Sequence, residues 1–297
     1  MSNKPRKMTL EKKHNLTGWA FLAPATFLIA VFSFWPMIKA LVLSFQTGKG
    51  RNMQMAGFTN YIRMFQDDVF IQSIKNTFFY FILQVPIMLV VALVLACILN
   101  KKDLRFKGFF RTMIFLPCTT SLVAYSIIFR SLFANDGLVN YVLVNIGILD
   151  KPYNFLTQPF AAKVVIILGL LWRWTGYNMV FFLSGLQNIE YSVYEAAKID
   201  GASAIQTFFK ITVPLLKPTI LLTAIMSTNG TLQLFDESIN LTDGGPANAS
   251  ISMSHYIYNL CFKYVPNFGY AAALSFFILL LVAVLAFIQM RVGDKRD

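Results

Sequence analysis

This sequence predicts an all-α membrane protein of six transmembrane helices with both termini in the cytoplasm. Of its 297 residues, 56% are hydrophobic and only 13% are charged, where a soluble domain carries roughly 25% charge. Mean hydropathy is +0.58, more apolar side chain than a soluble globule can shield from water. A disordered chain, a collagen-like chain and a soluble enzyme are poor readings of that composition. The apolar residues gather into six runs near the ~20 residues that a spanning helix needs. Most Lys and Arg residues fall on one side of those runs, which places that side in the cytoplasm.

The first run covers residues 19–45. It is too long for a cleaved signal peptide and no convincing small-residue cleavage site ends it. Residues 1–18 form a basic cytoplasmic tail with Lys4, Arg6, Lys7, Lys12 and Lys13. The second run covers 74–99, and the short loop after it carries Lys101, Lys102, Arg105, Lys107 and Arg111. The third and fourth runs cover 109–133 and 161–186. The loop after the fourth holds Lys198, Lys210 and Lys217. The fifth run, 218–235, is the weakest, because its second half reads Ser227-Thr228-Asn229-Gly230-Thr231-Leu232-Gln233. A polar face like this is tolerated where it meets protein or a water-filled cavity. The sixth run covers 270–290 and closes on a cytoplasmic tail, 291–297, with Arg291, Lys295 and Arg296.

These groups hold sixteen of the 26 Lys and Arg residues; Lys39, Lys49, Arg51, Arg63, Lys75, Arg130, Lys151, Lys163 and Lys263 fall on the other side, and Arg173 inside a span. The net charge of +12 is thereby explained by membrane topology, and nucleic acid is not needed as a partner. Cys97, Cys118 and Cys261 have no CxxC partner, and His14 and His255 lie far apart, so neither a disulfide framework nor a metal site is expected.

The loop at 187–217 is longer than a tight turn requires. Ser192 with Glu195 and Ser203 with Gln206 each fit a capping box, and Asp200-Gly201 reads as a helix stop with a left-handed glycine. Pro214 and Pro218 limit helix on the far side. Two short helices at an angle follow. The local chemistry leaves two roles open: a rigid docking knob, whose Ala196, Ala197, Gly201 and Ala202 admit a close partner, or a loop resting on the membrane surface.

The stretch Glu195-Ala196-Ala197, Asp200-Gly201-Ala202, Phe208, Ile211, Pro214 and Pro218 resembles the EAA motif of ABC importer permeases; about a dozen positions agree across about 24 residues. Val213, where leucine is usual, departs conservatively. Leu241-Thr242-Asp243-Gly244-Gly245-Pro246 resembles the LTxGGP segment of carbohydrate-type permeases of the binding-protein-dependent family. The resemblance spans essentially the whole chain. It is closest to the first permease of sugar permease pairs, similar to the maltose-importer subunit without its extra N-terminal spans.

The resemblance implies a type I importer permease fold in a bacterial plasma or inner membrane. It implies a heterodimer with a second permease, two copies of a cytoplasmic ABC ATPase and an extracellular sugar-binding protein. The EAA segment becomes the coupling helix, with Glu195, Ala196, Ala197, Asp200, Gly201 and Ala202 toward the ATPase. The chain has no GxxxxGK[ST] phosphate loop. It is therefore expected to be a transport subunit and not an enzyme, binding no cofactor, with ATP and Mg used by the ATPase.

Sugars need aromatic faces and amide or hydroxyl partners. The fourth run offers Trp172, Trp174, Tyr177 and Asn178, and the fifth offers Ser227, Asn229, Thr231 and Gln233. The resemblance points to Trp172, Tyr177, Ser227, Gly230 and Thr231 in particular. Helix packing is the competing role for the aromatics. Arg173, about twelve residues into the span, lies roughly 18 Å deep at 1.5 Å per residue. It is expected to pair with Asp236 or Glu237, or else to touch sugar hydroxyls. An importer of glycerol-phosphate or another polar solute is the alternative within this class. An ion-coupled carrier would want acidic residues inside the spans, and every Asp and Glu falls in a loop, a tail or at a span end.

Overall fold

The computed structural model describes residues 9–49, 52–101 and 103–293. Lys4, Arg6, Lys7, Arg51, Lys102, Lys295 and Arg296 lie outside the described residues. Four helices are long and apolar enough to span a membrane: α1 (Leu10–Ser44), α3 (Asp68–Asn100), α7 (Pro159–Gln187) and α13 (Phe268–Gly293). Two bent pairs bring the number to as many as six. They are α4 (Lys107–Thr119) with α5 (Leu122–Leu132), and α9 (Ala204–Leu215) with α10 (Lys217–Leu232).

Helix α1 begins at Leu10, inside the stretch expected to be tail. A two-stranded hairpin follows, β1 (Gln46–Lys49) against β2 (Asn52–Met55), then α2 (Thr59–Met64). Asn60 fastens them by donating to the carbonyls of Ser44 and Gln46 at 2.9 and 2.8 Å. None of the apolar window of α1 is buried within the chain.

The third span corrects the sequence reading. Residues 109–133 are not one straight helix: α4 and α5 meet at 99°. The local chemistry explains the break. Pro117 cannot donate a backbone hydrogen bond. Thr119 and Thr120 turn their hydroxyls back to the carbonyls of Leu116 and Pro117 at 2.8 and 2.7 Å, competing with the helical ladder. Thr120 and Ser121 are then extended, with ψ of 148° and 137°.

Helix α3 packs along α7, with Ala92 and Ala96 buried beside Met179, Phe182, Leu183 and Leu186. Helix α4 approaches α7 at Gly176, where an added Cβ would stand 1.9 Å from the Ile114 carbonyl oxygen. A bend of 70° separates α9 from α10. Leu216, at that bend, is buried in the same cluster as Leu186. Helix α10 stops at Leu232, short of residue 235, and the chain turns into α11 (Asp236–Thr242). Ahead of α13 lies α12 (Met253–Tyr258).

A buried polar knot holds α11, α12 and their connecting turn onto α3. Asn76 donates to the Ile251 carbonyl at 2.9 Å, and the Tyr80 hydroxyl to the Ser250 carbonyl at 2.9 Å. The turn needs left-handed backbone at Asp243, Gly244 and Gly245 (φ 47°, 85° and 68°), and an added Cβ at Gly245 would meet Ser250 Oγ at 2.5 Å. Asp67 ties the other elements together. Its Oδ1 accepts from the Val69 and Phe70 amides at the start of α3, and its Oδ2 from the Tyr256 and Tyr270 hydroxyls at 2.6 and 2.7 Å. Burial alone would raise the Asp67 carboxyl; these four donors hold it below the usual range.

His255 sits in the knot, fully buried. Ser238 Oγ donates to the Ser250 carbonyl and therefore accepts from His255 Nδ1–H at 2.9 Å. Burial pushes the imidazole from 6.5 down to about 4; Asp243 opposes the shift and Lys263 adds to it. The unfolded chain thus binds a proton below about pH 6.5 that the folded chain refuses until about pH 4. The stabilisation is complete above that window and falls as pH drops through it, by about 3 kcal/mol at most. The thermal midpoint of the purified protein is expected to fall between about pH 7 and about pH 5, with a shallower slope in His255→Gln; equal slopes would remove His255 from the account.

Candidate functional site

Trp174, Tyr177 and Phe181 stand at i, i+3 and i+7 on α7 and share one face. The Trp174 and Tyr177 rings meet edge-to-face at 5.8 Å, and Tyr177 meets Phe181 at 5.1 Å. They form one wall of a cavity of about 310 Å³. Gln84 and Met88 come from α3, and Thr223, Met226, Ser227, Gly230 and Thr231 from α10. Residues 233–237 close one end.

Of the residues expected at a substrate site, Tyr177, Asn178, Ser227, Gly230, Thr231 and Gln233 line this cavity. Trp172 and Asn229 do not. Two residues along a helix rotate a side chain by about 200°, so Trp172 leaves the cavity face that Trp174 occupies. It is 42% exposed and packs on Tyr125 and Phe129 at 6.1 and 5.5 Å. Asn229 is exposed and accepts from Gln233 Nε2 on its own helix. Gln84 and Met88 were not expected from the sequence, although Ser73, Thr77, Tyr80 and Gln84 recur at helical spacing on α3 and form a polar stripe that points to Gln84. The i, i+3, i+7 aromatic spacing was the signal that could have preferred Trp174 over Trp172.

Several lining groups are already bonded across the bundle. Thr231 donates to Gln84 Oε1 at 2.9 Å, joining α10 to α3. Ser227 donates to Asn178 Oδ1 at 3.3 Å, joining α10 to α7. Glu237 is buried and lines the same cavity as Trp174.

Arg173 is only 6% exposed. The expected ion pair with Asp236 or Glu237 does not form; the ion pairs among the described residues involve other groups. Its Nη1 donates instead to the Thr120 carbonyl at 2.9 Å, at the break between α4 and α5. The guanidinium also lies over the rings of Tyr125 and Trp174 at 5.3 and 5.4 Å. Arg173 thus braces the break through a backbone carbonyl, a partner that neither sequence reading names.

The loop 187–217 forms α8 (Tyr191–Ile199) and then α9. Gly201, at φ 75°, ends α8 in a Schellman turn: Ala202 N–H bonds the Ala197 carbonyl at 2.9 Å and Gly201 N–H the Lys198 carbonyl at 3.2 Å. The Ser203–Gln206 capping box is present. The Ser192–Glu195 box is not, because α8 starts earlier, with Glu190 at its cap; Ser192 Oγ bonds Glu190 Oε2 at 3.3 Å. Glu195, Ala196, Asp200 and Gly201 are exposed, Ala202 is half-buried, and Ala197 turns inward and is buried. Ile199, 85% exposed, projects beside them.

The family model described as "Binding-protein-dependent transport system inner membrane component" matches residues 25–296. The lactose transport system permease protein LacF of Rhizobium radiobacter is 52% identical over 292 residues, 98% of each chain. A solved bacterial ABC transporter importing the acidic polysaccharide alginate is 24% identical with a TM-score of 0.85, covering 96% of this chain and 97% of that one. The alginate transporter in complex with a pentasaccharide-bound periplasmic protein is 26% identical, with a TM-score of 0.85 and 96% of each chain covered.

Arg173→Ala removes a charged donor from the half-buried Thr120 carbonyl, a cost of about 1–3 kcal/mol. The thermal midpoint of the purified protein is expected to drop accordingly, and Arg173→Lys to recover part of the loss, since an ammonium can still donate. An unchanged midpoint in Arg173→Ala would remove the brace.

Proposed function

The chain belongs to the binding-protein-dependent transport system inner membrane components, and on that premise we propose that a sugar crosses the membrane against the wall formed by Trp174 and Tyr177. The chain is the membrane-embedded permease subunit of an ABC sugar importer and a multi-pass inner-membrane protein. The observation that carries the proposal is the cavity between α3, α7 and α10. It combines an aromatic wall for the apolar face of a sugar ring with amide and hydroxyl groups for its hydroxyls.

An extracellular sugar-binding protein delivers the substrate, by analogy with the periplasmic protein bound to the alginate importer. A second permease completes the path, and two copies of an ABC ATPase use ATP and Mg on the cytoplasmic side, to which the basic residues assign α8. In this reading Glu195, Ala196, Asp200, Gly201 and Ala202 meet the ATPase. Ala197 supports the helix from within.

The route from docking to cavity is mechanical and short in sequence. Helix α8 leads through the Schellman turn and the Ser203 cap into α9, then through the bend at Leu216 into α10, which carries Ser227, Gly230 and Thr231. At Gly185 an added Cβ would stand 2.8 Å from Leu216 Cδ2 and 2.9 Å from Thr219 Oγ1. This close approach holds the bend against the end of α7. A push on α8 is thus delivered to the cavity wall.

Trp174→Ala is expected to cut ATP-driven sugar uptake in vesicles by about tenfold or more while the complex still assembles, since a stacking face is worth about 1–3 kcal/mol. Trp172→Ala is expected to keep at least half of wild-type uptake; the reverse ranking would return the site to Trp172.

Gly201→Val tests the coupling surface. Nothing lies within 4 Å of an added Cβ there, so the penalty is the left-handed backbone alone, which a β-branched residue strongly resists. The turn is expected to rearrange and misaim α8, leaving ATPase activity that no longer drives uptake. Wild-type uptake with full ATPase retention would reduce the loop to a connector.

A further inference from the structure

We infer that this cavity admits uncharged sugars and turns away acidic ones, with Asp236 as the discriminating group; the inference rests on the cavity being the sugar site. Asp236 and Glu237, adjacent in sequence, are both among the residues that line it, and no Lys or Arg is. Arg173, buried behind Trp174, is not among the lining residues, and its Nη1 donates to the Thr120 carbonyl. Glu237 is buried. Asp236 is half-buried and has no ion-pair partner among the described residues.

A carboxylate in that position has two effects of opposite sign. Toward a neutral sugar it is a strong acceptor, because hydrogen bonds to an ionised group are shorter and stronger than neutral ones. Toward a uronate, sulfonate or phosphate it is a like charge in a site where water screens poorly. Two like charges roughly 5 Å apart, at an effective dielectric near 20, disfavour binding by more than about tenfold. A cation aimed into the cavity would offset this, and the lining supplies none. The same fold carries an acidic polysaccharide in the alginate importer, so the fold leaves this choice open and the side chains make it. The pairing is also legible in the chain: Asp236-Glu237 begins α11 a few residues after α10 and its polar half have ended.

The test uses the assembled importer in lipid nanodiscs, without the binding protein, so that selectivity arises in the membrane subunits. Saturation-transfer NMR reads weak binding of lactose and of digalacturonate, an acidic disaccharide of similar size. Lactose is expected to bind at least about tenfold more tightly than digalacturonate. Asp236→Asn, nearly isosteric, is expected to bring the two within about threefold by strengthening the acid. The uncharged dimethyl ester of digalacturonate is expected to bind the unmutated importer within about threefold of lactose, which keeps the inference testable if the variant folds poorly. Equal binding of both sugars at low salt overturns the charge selection and leaves the sugar site standing. Binding of neither sugar overturns the sugar site, and this inference with it.

Discussion

The hydrogen bond from Arg173 to the Thr120 carbonyl governs much of this architecture. A chain inside lipid must satisfy its backbone polar groups internally. Breaking the third span at Thr120 and Ser121 leaves carbonyls without helical partners, and a guanidinium midway along α7 donates to that of Thr120. The arrangement solves two problems at once, since a buried guanidinium also needs acceptors. Its guanidinium also lies over the Trp174 ring, the indole that lines the cavity. The broken span, the buried cation and the cavity wall are one connected unit.

The remaining helices are joined on the same principle. Thr231 to Gln84 and Ser227 to Asn178 link α10 to α3 and α7. Asn76, Tyr80, Ser238 and His255 form the knot over α3. Lipid offers apolar surfaces little reason to prefer one another, so interhelical contacts depend on close packing and shared polar groups. Gly176 and Gly185 supply the close packing here. The polar groups that line the cavity are for the same reason half structural: Asn178 and Thr231 face the space while holding its walls together.

The loop that carries the EAA-like stretch obeys a different logic, because its conformation comes from short-range chemistry. The Schellman turn at Gly201 and the capping box at Ser203 use residues no more than five positions apart. They need no tertiary partner, which suits a segment that must present a defined shape to another protein. The exposed apolar side chain of Ile199 beside Glu195 and Ala196 gives that shape a contact face.

The sequence by itself determined the class of protein, the six apolar runs, the two short helices of the loop and the left-handed glycine at 201. Each rests on composition or on neighbours within one helical turn or two. It also located the polar half of the fifth span. Only the tertiary structure decided which aromatic of α7 faces the cavity: spacing groups Trp174 with Tyr177 and Phe181 and sets Trp172 little more than half a turn away, but it does not say which face meets α3 and α10. Only the tertiary structure decided the partner of Arg173, because a backbone carbonyl freed by a broken helix is invisible in a list of charged residues, whereas Asp236 and Glu237 are conspicuous in it. The third span divides between the two: Pro117 and the Thr119 and Thr120 hydroxyls break it by local chemistry, and only the tertiary structure brings Arg173 to donate to the carbonyl that the break exposes.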